Sequence, residues 1–309
     1  MILAPMQGLT EVLFRRVYEE CFPGAIPIAM SPFISLTHNL QFSRGKAQES
    51  MLSDVLPENN TGSIPVIPQI LGKETEEFVE LCNILYDMGY GEVNWNIGCP
   101  MRAITGKHRG SGILPYPDEV RAVLDNVVPR MKPILSVKMR LGLRSKDEIF
   151  QLAPILNDYP LASVTIHPRT GRQQYTGVPD LDTFGEVLPL IKHPIIYNGD
   201  ICTAADAHRI KERFPSISDI MVGRGVLYRP TLPFEINGQR PSLTCQCFIR
   251  RLMEEIKNTL PTEQSMIRKT KEYWSLLWKS LPISEMQARE VLRAQQFTVV
   301  DNLICRLTQ

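Results

Sequence analysis

The spacing of short apolar segments most constrains the fold of this chain. Eight such segments recur over about 235 residues, and amphipathic stretches with helical periodicity separate them. One such stretch, residues 75–88, repeats apolar side chains at helical intervals. The predicted strands are Ile2–Met6, Ile26–Met30 with an extension to Ser35 left open, Ile64–Ile70, Glu92–Asn96, Ile134–Val137, Ser163–His167, Ile195–Asn198 and Asp219–Val222.

This alternation predicts the α/β class, in one of two architectures. A (β/α)8 TIM barrel has a typical length of about 250 residues, which the segment matches. A doubly wound sheet would require a G-x-G-x-x-G turn after its first strand, and the sequence has none there. We therefore predict the barrel.

The pattern changes after Phe234. A turn-rich linker, residues 237–242, precedes three segments of helical character, 243–258, 263–280 and 284–306, with no strand between them. We predict a barrel domain over 1–238 and a small all-helical domain over 239–309. The second carries 11 basic and 7 acidic residues, a balance that is compatible with a polyanionic partner but also with solvated helix faces.

Composition excludes several classes. The chain has 309 residues, 43% hydrophobic and 22% charged, as is ordinary for a globular protein. No apolar run is long enough for a membrane span, and the N-terminus lacks the features of a signal peptide. Seven scattered cysteines do not form a disulfide framework, and the single C-x-C at Cys245 and Cys247 is weak evidence for a metal. We expect a cytoplasmic protein with no metal site.

Polar groups follow seven of the eight predicted strands, where barrels place their active sites. Any one of them could be a capping or loop residue. Gln69 could bond a flat heterocycle, Lys138 could place charge beside an electron-rich ring, and the loops after strands seven and eight suit a phosphate. Together they predict FMN. These strand ends carry Met6-Gln7-Gly8, Gln69, Asn96 with Cys99, Lys138-Met139-Arg140, His167-Pro168-Arg169-Thr170, Asn198-Gly199-Asp200 and Gly223-Arg224-Gly225.

Cys99 stands between glycine and proline at the end of the fourth strand. A buried, inert cysteine is the ordinary interpretation of such a residue. The cations of the same loop, Arg102, Lys107 and Arg109, favour either an activated thiolate or contacts with an anionic substrate. Both interpretations stay open on the residues alone.

Seven motifs in chain order resemble those of the tRNA-dihydrouridine synthases, flavoenzymes that reduce uridines in tRNA. Single motifs are weak evidence, but seven in order are strong. They are Ala4-Pro5-Met6 with Gly8 and Arg15; Pro68-Gln69-Ile70-Leu71-Gly72; Asn96-Ile97-Gly98-Cys99-Pro100 with Lys107 and Gly110-Ser111-Gly112; Val137-Lys138-Met139-Arg140-Leu141-Gly142; His167-Pro168-Arg169-Thr170 with Gln173, Tyr175 and Gly177; Asn198-Gly199-Asp200; and Val222-Gly223-Arg224-Gly225.

The resemblance implies an FMN-bearing barrel, a helical tRNA-binding domain and NADPH as reductant. Asn96 would hold the substrate uracil, and Cys99 would protonate it. The implied FMN contacts are Pro5, Met6, Gln69, Lys138, His167, Asn198, Asp200, Gly223 and Arg224. The implied RNA contacts are Arg102, Lys107, Arg140, Arg169, Thr170 and Tyr175.

Reduction of the uracil C5–C6 bond needs a hydride at C6, from the flavin N5, and a proton at C5. As the acid, on a mobile loop across the ring, Cys99 has to be a protonated thiol, so the neighbouring cations are better interpreted as phosphate contacts. The base has to leave its stack, which costs a few kcal/mol.

Two positions depart from the family pattern. Asn94 stands where the family usually has Asp, and Ser31-Pro32-Phe33 replaces a Thr-Glu pair. Two alternatives remain: a flavin dehydrogenase of dihydropyrimidine or dihydroorotate type, which would not need the tail domain, and a non-catalytic RNA-binding barrel, which would be expected to lose Cys99. No obligate protein partner is evident. The sequence indicates neither the tRNA position nor the oligomeric state.

Overall fold

In the computed structural model, which describes residues 1–36 and 46–309, eight parallel strands close into a barrel in chain order. The TIM-barrel prediction is confirmed. The extension to Ser35 is present, and the fifth and sixth strands run further than predicted, whereas the first is shorter. The strands are β1 Ile2–Leu3, β2 Ile28–Ser35, β3 Val66–Leu71, β4 Glu92–Ile97, β5 Ile134–Gly142, β6 Leu161–Thr170, β7 Ile195–Asn198 and β8 Asp219–Val222.

Helices connect these strands and continue beyond the last one. None of the helices in the described part of the chain is long and apolar enough to cross a membrane. They are α1 Val12–Cys21, α2 Lys46–Leu52, α3 Thr75–Asp87, α4 Arg102–Thr105, α5 Pro117–Val127, α6 Glu148–Leu156, α7 Leu181–Val187, α8 Ala204–Arg213, α9 Arg224–Tyr228, α10 Leu232–Ile236, α11 Cys245–Thr259, α12 Glu263–Leu277, α13 Glu285–Arg293 and α14 Phe297–Leu307.

The alternating sequence of strand β4 determines which side chains face the barrel interior and which face the helices. Side chains alternate along a strand, so Val93 and Trp95 point away from the barrel axis while Asn94 and Asn96 point toward it. Trp95 packs edge-on against Phe78 of α3, with ring centroids 6.1 Å apart. The apolar face of β4 therefore meets the helical layer, and its amide face is left for the interior.

The four C-terminal helices share their core with the barrel. Phe248 of α11 packs against Phe14 and Tyr18 of α1, with ring centroids 5.6 Å away in both cases. Tyr273 of α12 stacks on Phe14 at 6.0 Å. These aromatic side chains are buried, so the helical region rests on α1 through apolar contacts.

The segment predicted as one helix over 284–306 is two helices, α13 and α14. The chain is extended at Ala294, with ψ of 139°, and at Gln296, which precedes the first turn of α14. Glu263 accepts a hydrogen bond from the backbone N–H of Phe297 over 2.8 Å. This turn brings Phe297 into the core, a tertiary contact that helical periodicity does not encode.

Candidate active site

A cavity of about 420 Å³ opens at the carboxyl ends of the strands. It brings together twelve of the seventeen predicted site residues: Pro5, Met6, Asn96, Cys99, Lys138, Arg140, His167, Tyr175, Asn198, Asp200, Gly223 and Arg224. The other five, Gln69, Arg102, Lys107, Arg169 and Thr170, do not line it.

Lys138 presents a cation to this cavity. Its ammonium has no hydrogen bond or ion pair with any residue in 1–36 or 46–309. Burial, together with the charge of Arg140, lowers the pKa of Lys138 to about 7. A buried cation without a partner is costly, so the site is suited to a ligand that supplies negative charge next to Lys138.

The Cys99 thiol lines the cavity beside Lys138. Burial raises the pKa of Cys99, against the opposing influence of the Met101 backbone, Arg140 and Lys138. The thiol is therefore protonated at neutral pH. A protonated thiol favours a role for Cys99 as proton donor over the activated thiolate that the cations of the loop also allowed.

Hydrogen bonds hold the Cys99 loop in place. The Ser111 backbone N–H donates to the carbonyl oxygen of Cys99 over 2.9 Å, and Arg140 donates to that of Gly98 over 2.9 Å. At Gly110 the backbone has φ of 55°, and a Cβ there would lie 2.6 Å from the Cys99 oxygen. Only glycine lets the following turn approach the loop this closely.

One side of the Asn96 side-chain amide is hydrogen-bonded to this loop. Its Oδ1 accepts hydrogen bonds from the backbone N–H groups of Gly98 at 3.0 Å and Cys99 at 2.9 Å. Its Nδ2 donates to Gln69 over 2.8 Å. The amide keeps one N–H for a ligand, because an NH₂ group has two donors.

His167 is a neutral imidazole. Burial and the surrounding cations, Arg140 and Lys138 foremost, hold its pKa well below the ordinary value. Nη1 of Arg169 lies 3.1 Å from Nε2 of His167. A guanidinium cannot accept a hydrogen bond, so Nε2 is the acceptor and Nδ1 carries the proton.

Arg169 itself is not at the surface. It is 1% exposed and donates to Asp200 at 3.0 Å and to the backbone oxygen of Gly177 at 2.6 Å. Thr170 is also buried and bonds Gln173 over 3.2 Å. The RNA contacts predicted for these two residues therefore lack an accessible group. Thr170 of β6 pairs with Gly142 of β5, so Thr170 and the adjacent Arg169 lie within the barrel wall.

Gln69 is likewise withdrawn from the cavity. Its side chain is fully buried, donates to Asn94 over 2.8 Å and accepts from Asn96 over 2.8 Å. The amide has no free face for the heterocycle contact that was predicted. It belongs to the polar interior of the barrel.

Tyr175 lies at the mouth between two arginines. The guanidinium carbons of Arg140 and Arg224 are 5.4 and 4.8 Å from its ring centroid. The side chain is 57% exposed. A ring held by two cations and open on its outer side is a platform on which a base can stack.

The loops after β7 and β8 form the opposite wall. Burial opposes ionisation of Asp200, but hydrogen bonds and charge from Arg169 and Arg224 hold its pKa below the ordinary value. A Cβ at Gly225 would lie 2.1 Å from the backbone oxygen of Ile201, so the two loops touch there. Asn198 donates over 2.9 Å to the Met221 oxygen and joins the strand ends.

Two predicted RNA contacts stand outside the cavity on the exposed surface. Arg102 begins α4 and Lys107 follows it, and neither forms an ion pair with a described residue. Arg109 differs, because it is buried and donates over 2.7 Å to the Leu36 oxygen and over 3.1 Å to Glu74. The loop thus has an exposed basic edge and a buried structural cation.

A family model described as "Dihydrouridine synthase (Dus)" matches residues 2–302 of the chain. The chain belongs to the dihydrouridine synthase family. A probable tRNA-dihydrouridine synthase of Rhizobium leguminosarum bv. phaseoli is 32% identical over 236 residues, which cover 74% of this chain and 69% of that protein. A tRNA-dihydrouridine(16) synthase of Pseudomonas putida is 29% identical over 246 residues, covering 77% and 73%.

The fold of this dihydrouridine synthase also resembles that of solved barrels. An old yellow enzyme homologue from Zymomonas mobilis superimposes with a TM-score of 0.55 at 12% identity, covering 79% of this chain and 90% of that one. At that identity the likeness concerns the barrel alone.

The two departures from the synthase pattern lie close to the site. Asn94 is fully buried and donates to Ser136 over 3.0 Å, while Pro32 and Phe33 line the cavity. Sequence reasoning assigned no role to several other lining residues, Gln7, Leu9, Met101, Gln174, Ile201, Cys202 and Met221. All of them except Met221, which lies within β8, follow strand ends. Their position after a strand was the sequence signal that could have identified them.

Proposed function

We propose that this protein reduces uridine in tRNA to 5,6-dihydrouridine, with bound FMN and a nicotinamide, NADPH, as electron donor. The observation that carries the proposal is that the Cys99 thiol and the Lys138 ammonium, which has no partner among the described residues, face one cavity. An acid and a cation on the same wall are what reduction of a polarised C=C bond requires.

The residues of the cavity fit FMN. Within the part of the chain that the structure describes, Lys138 has no anionic partner, and the adjoining loops after β7 and β8 carry the backbone groups and Arg224 that a phosphate needs. Gly223 leaves space beside Met6, since a Cβ there would lie 3.2 Å from its sulfur. Pro5, Met6, Lys138, His167, Asn198 and Arg224 would hold the cofactor. Asp200 would contribute its backbone, because its carboxylate is paired with Arg169 and Arg224.

FMN, when bound, supplies the hydride that adds to C6 of the uracil. The chain itself supplies the proton. Cys99 holds it on Sγ, in a thiol that burial keeps neutral, and passes it to C5. Asn96 orients the base through its remaining N–H. Lys138 stabilises the negative charge that accumulates on the cofactor side, and Nδ1–H of His167 donates into the same cavity.

The proposed RNA surface surrounds the mouth. Arg102 and Lys107 are exposed beside the Cys99 loop, and Tyr175 is exposed between its two arginines. The helical region 239–309 is proposed to bind the same tRNA. Lys269 of α12 donates over 3.0 Å to the oxygen of Gly8, close to the lining residues Gln7 and Leu9, and this contact ties the region to the cavity rim.

A cytoplasmic location completes the proposal, because all seven cysteines are free and thiols persist in a reducing compartment. The proposal requires no protein partner.

The test combines the purified protein, FMN, NADPH and unmodified tRNA. Dihydrouridine is expected in the digested tRNA by mass spectrometry, together with flavin absorbance on the protein. A yellow protein that oxidises NADPH with free pyrimidines but leaves tRNA unmodified would contradict the proposal and favour a small-molecule dehydrogenase.

A further inference from the structure

A chain of side-chain hydrogen bonds runs through the barrel toward the cavity. Strand β4 contributes alternate residues, which share one face and point to the barrel axis. Its neighbours β3 and β5 contribute the residues opposite, since Gln69 and Ser136 both pair in register with Asn94. In order from the amino-terminal end of the strands, the chain comprises Ser136, Asn94, Gln69 and Asn96.

Each link is short. Asn96 Nδ2 donates to Gln69 Oε1 over 2.8 Å, and Gln69 Nε2 donates to Asn94 Oδ1 over 2.8 Å. Asn94 Nδ2 donates to Ser136 Oγ over 3.0 Å. Asn94, Gln69 and Ser136 are fully buried, so water cannot replace these partners.

The cavity end gives the chain its direction. There, Asn96 Oδ1 accepts from the backbone N–H groups of Gly98 and Cys99, which can only donate. Nδ2 of Asn96 therefore points to Gln69, and each amide accepts from the cavity side and donates toward Ser136. A flipped Gln69 would set two donors against each other at Asn96 and two acceptors against each other at Asn94.

Packing alone does not require this arrangement, because apolar side chains of the same volume fill a barrel interior equally well. What the hydrogen-bonded chain adds is orientation. It turns Nδ2 of Asn96 away from the Cys99 loop and so reserves Oδ1 for the two N–H groups that hold the loop.

We propose that Ser136 and Asn94 are positioning residues, which fix the side chain of Asn96 and through it the Cys99 thiol above the reacting base. The inference rests on the proposed function for its catalytic meaning. Neither residue lines the cavity, so each acts through Asn96.

The test replaces the two proposed residues. Ser136→Ala removes the acceptor of Asn94, and Asn94→Leu removes both the donor to Ser136 and the acceptor of Gln69. In each, kcat for dihydrouridine formation is expected to fall about tenfold while KM for tRNA stays within about twofold. In the same proteins without cofactor or tRNA, the alkylation rate of Cys99, followed by peptide mass mapping, is expected to rise at least about threefold because the loop loosens.

Thr165→Val is the matched control. Thr165 is also fully buried on the inner face of its strand, and its hydroxyl has no hydrogen-bond partner in the described chain. This variant is expected to leave kcat and Cys99 alkylation within about twofold of the wild type. Asn94→Asp adds a rescue, because its carboxylate can still accept from Gln69 and from the hydroxyl of Ser136. Asp is expected to recover at least half of the activity that Leu loses at this position.

Folded Ser136→Ala and Asn94→Leu proteins with wild-type kcat and wild-type Cys99 alkylation would overturn the inference. If one of them fails to fold, the other decides. An inactive wild type would contradict the proposed function instead, while the alkylation rates would still decide whether the chain holds the Cys99 loop.

Discussion

Arg169 donates a hydrogen bond to Nε2 of His167 over 3.1 Å inside the wall of the cavity. The contact places the imidazole proton on Nδ1 and makes the orientation of His167 dependent on a residue that does not line the cavity. Arg169 also holds Asp200 and the Gly177 oxygen. One buried guanidinium thus connects the ends of β6 and β7.

Replacing Arg169 should damage stability. Arg169→Met leaves the carboxylate of Asp200 with Arg224 only and His167 without its donor. Leaving the buried Nε2 of His167 without its donor costs about 2 kcal/mol, while Asp200 is exposed and keeps Arg224; denaturant unfolding would measure the loss. Arg213→Met is the control, since the Arg213–Asp182 pair is exposed and is expected to change the free energy of unfolding by less than about 1 kcal/mol. Equal losses in the two variants would contradict this account.

The thiol of Cys99 is expected to be required for turnover and not for cofactor binding. Cys99→Ala should retain flavin absorbance while dihydrouridine formation falls about 100-fold or more, the usual contribution of a general acid. Cys247→Ala, at a half-buried thiol on α11, should behave like the wild type. Normal turnover by Cys99→Ala would rule out the assignment of the proton donor.

Lys138 should make the stability of the cofactor-free protein depend on pH. Its pKa is about 7 in the folded chain and 10.5 ordinarily, so between these values the unfolded state binds the proton that the folded state has lost. Stability then rises with pH across this window, by up to about 1 kcal/mol per unit.

Lys138→Met should abolish this rise, stabilise the cofactor-free protein near pH 7 and weaken FMN retention. Urea unfolding at several pH values and FMN titration would measure these effects. The exposed Lys192 provides the control, because Lys192→Met should keep the rise. An unchanged slope in Lys138→Met would show that Lys138 is not the titrating group.

Tyr175 is expected to serve RNA binding rather than chemistry. Tyr175→Leu removes the stacking surface, and a base–aromatic stack contributes about 1–3 kcal/mol, so KM for tRNA should rise about tenfold with a smaller change in kcat. Tyr86 is also exposed beside a cation, Lys132, but lies on α3 outside the cavity lining. Tyr86→Leu should leave steady-state kinetics unchanged; a matching rise in its KM would refute the role of Tyr175.

The exposed cations beside the Cys99 loop should contribute through phosphate contacts. Arg102→Ala and Lys107→Ala are each expected to reduce the dependence of tRNA affinity on salt by about one unit of slope or less. Binding titrations at several salt concentrations would measure this slope. Lys211→Ala on α8 serves as the control, and a slope that the loop variants leave unchanged would place the RNA elsewhere.

The sequence predicted the barrel well because burial on one face of each strand and one face of each helix imposes regular periodicity. Position at a strand end was equally informative for Lys138, His167 and Cys99, which all reach the cavity. It could not say whether a polar side chain at that end faces the ligand or a neighbouring strand. Gln69 and Arg169 show the second outcome, because cross-strand partners that are distant in sequence satisfy their hydrogen bonds.

Helix ends in the C-terminal region were less predictable. The break between α13 and α14 depends on Glu263, which is 34 residues before the Phe297 N–H that it binds. No sequence pattern near Ala294 predicts this contact.

The aromatic contacts between α1 and α11 also determine what can be separated by truncation. A chain cut before Gln239 would expose the faces of Phe14, Tyr18 and Phe22 that Phe248 now covers, and an apolar surface of that kind promotes aggregation. The barrel therefore cannot be separated from the helical region as an independent catalytic unit. An exchange of residues 239–309 between relatives would also have to exchange α1, because α1 and α11 bury their aromatic side chains against each other.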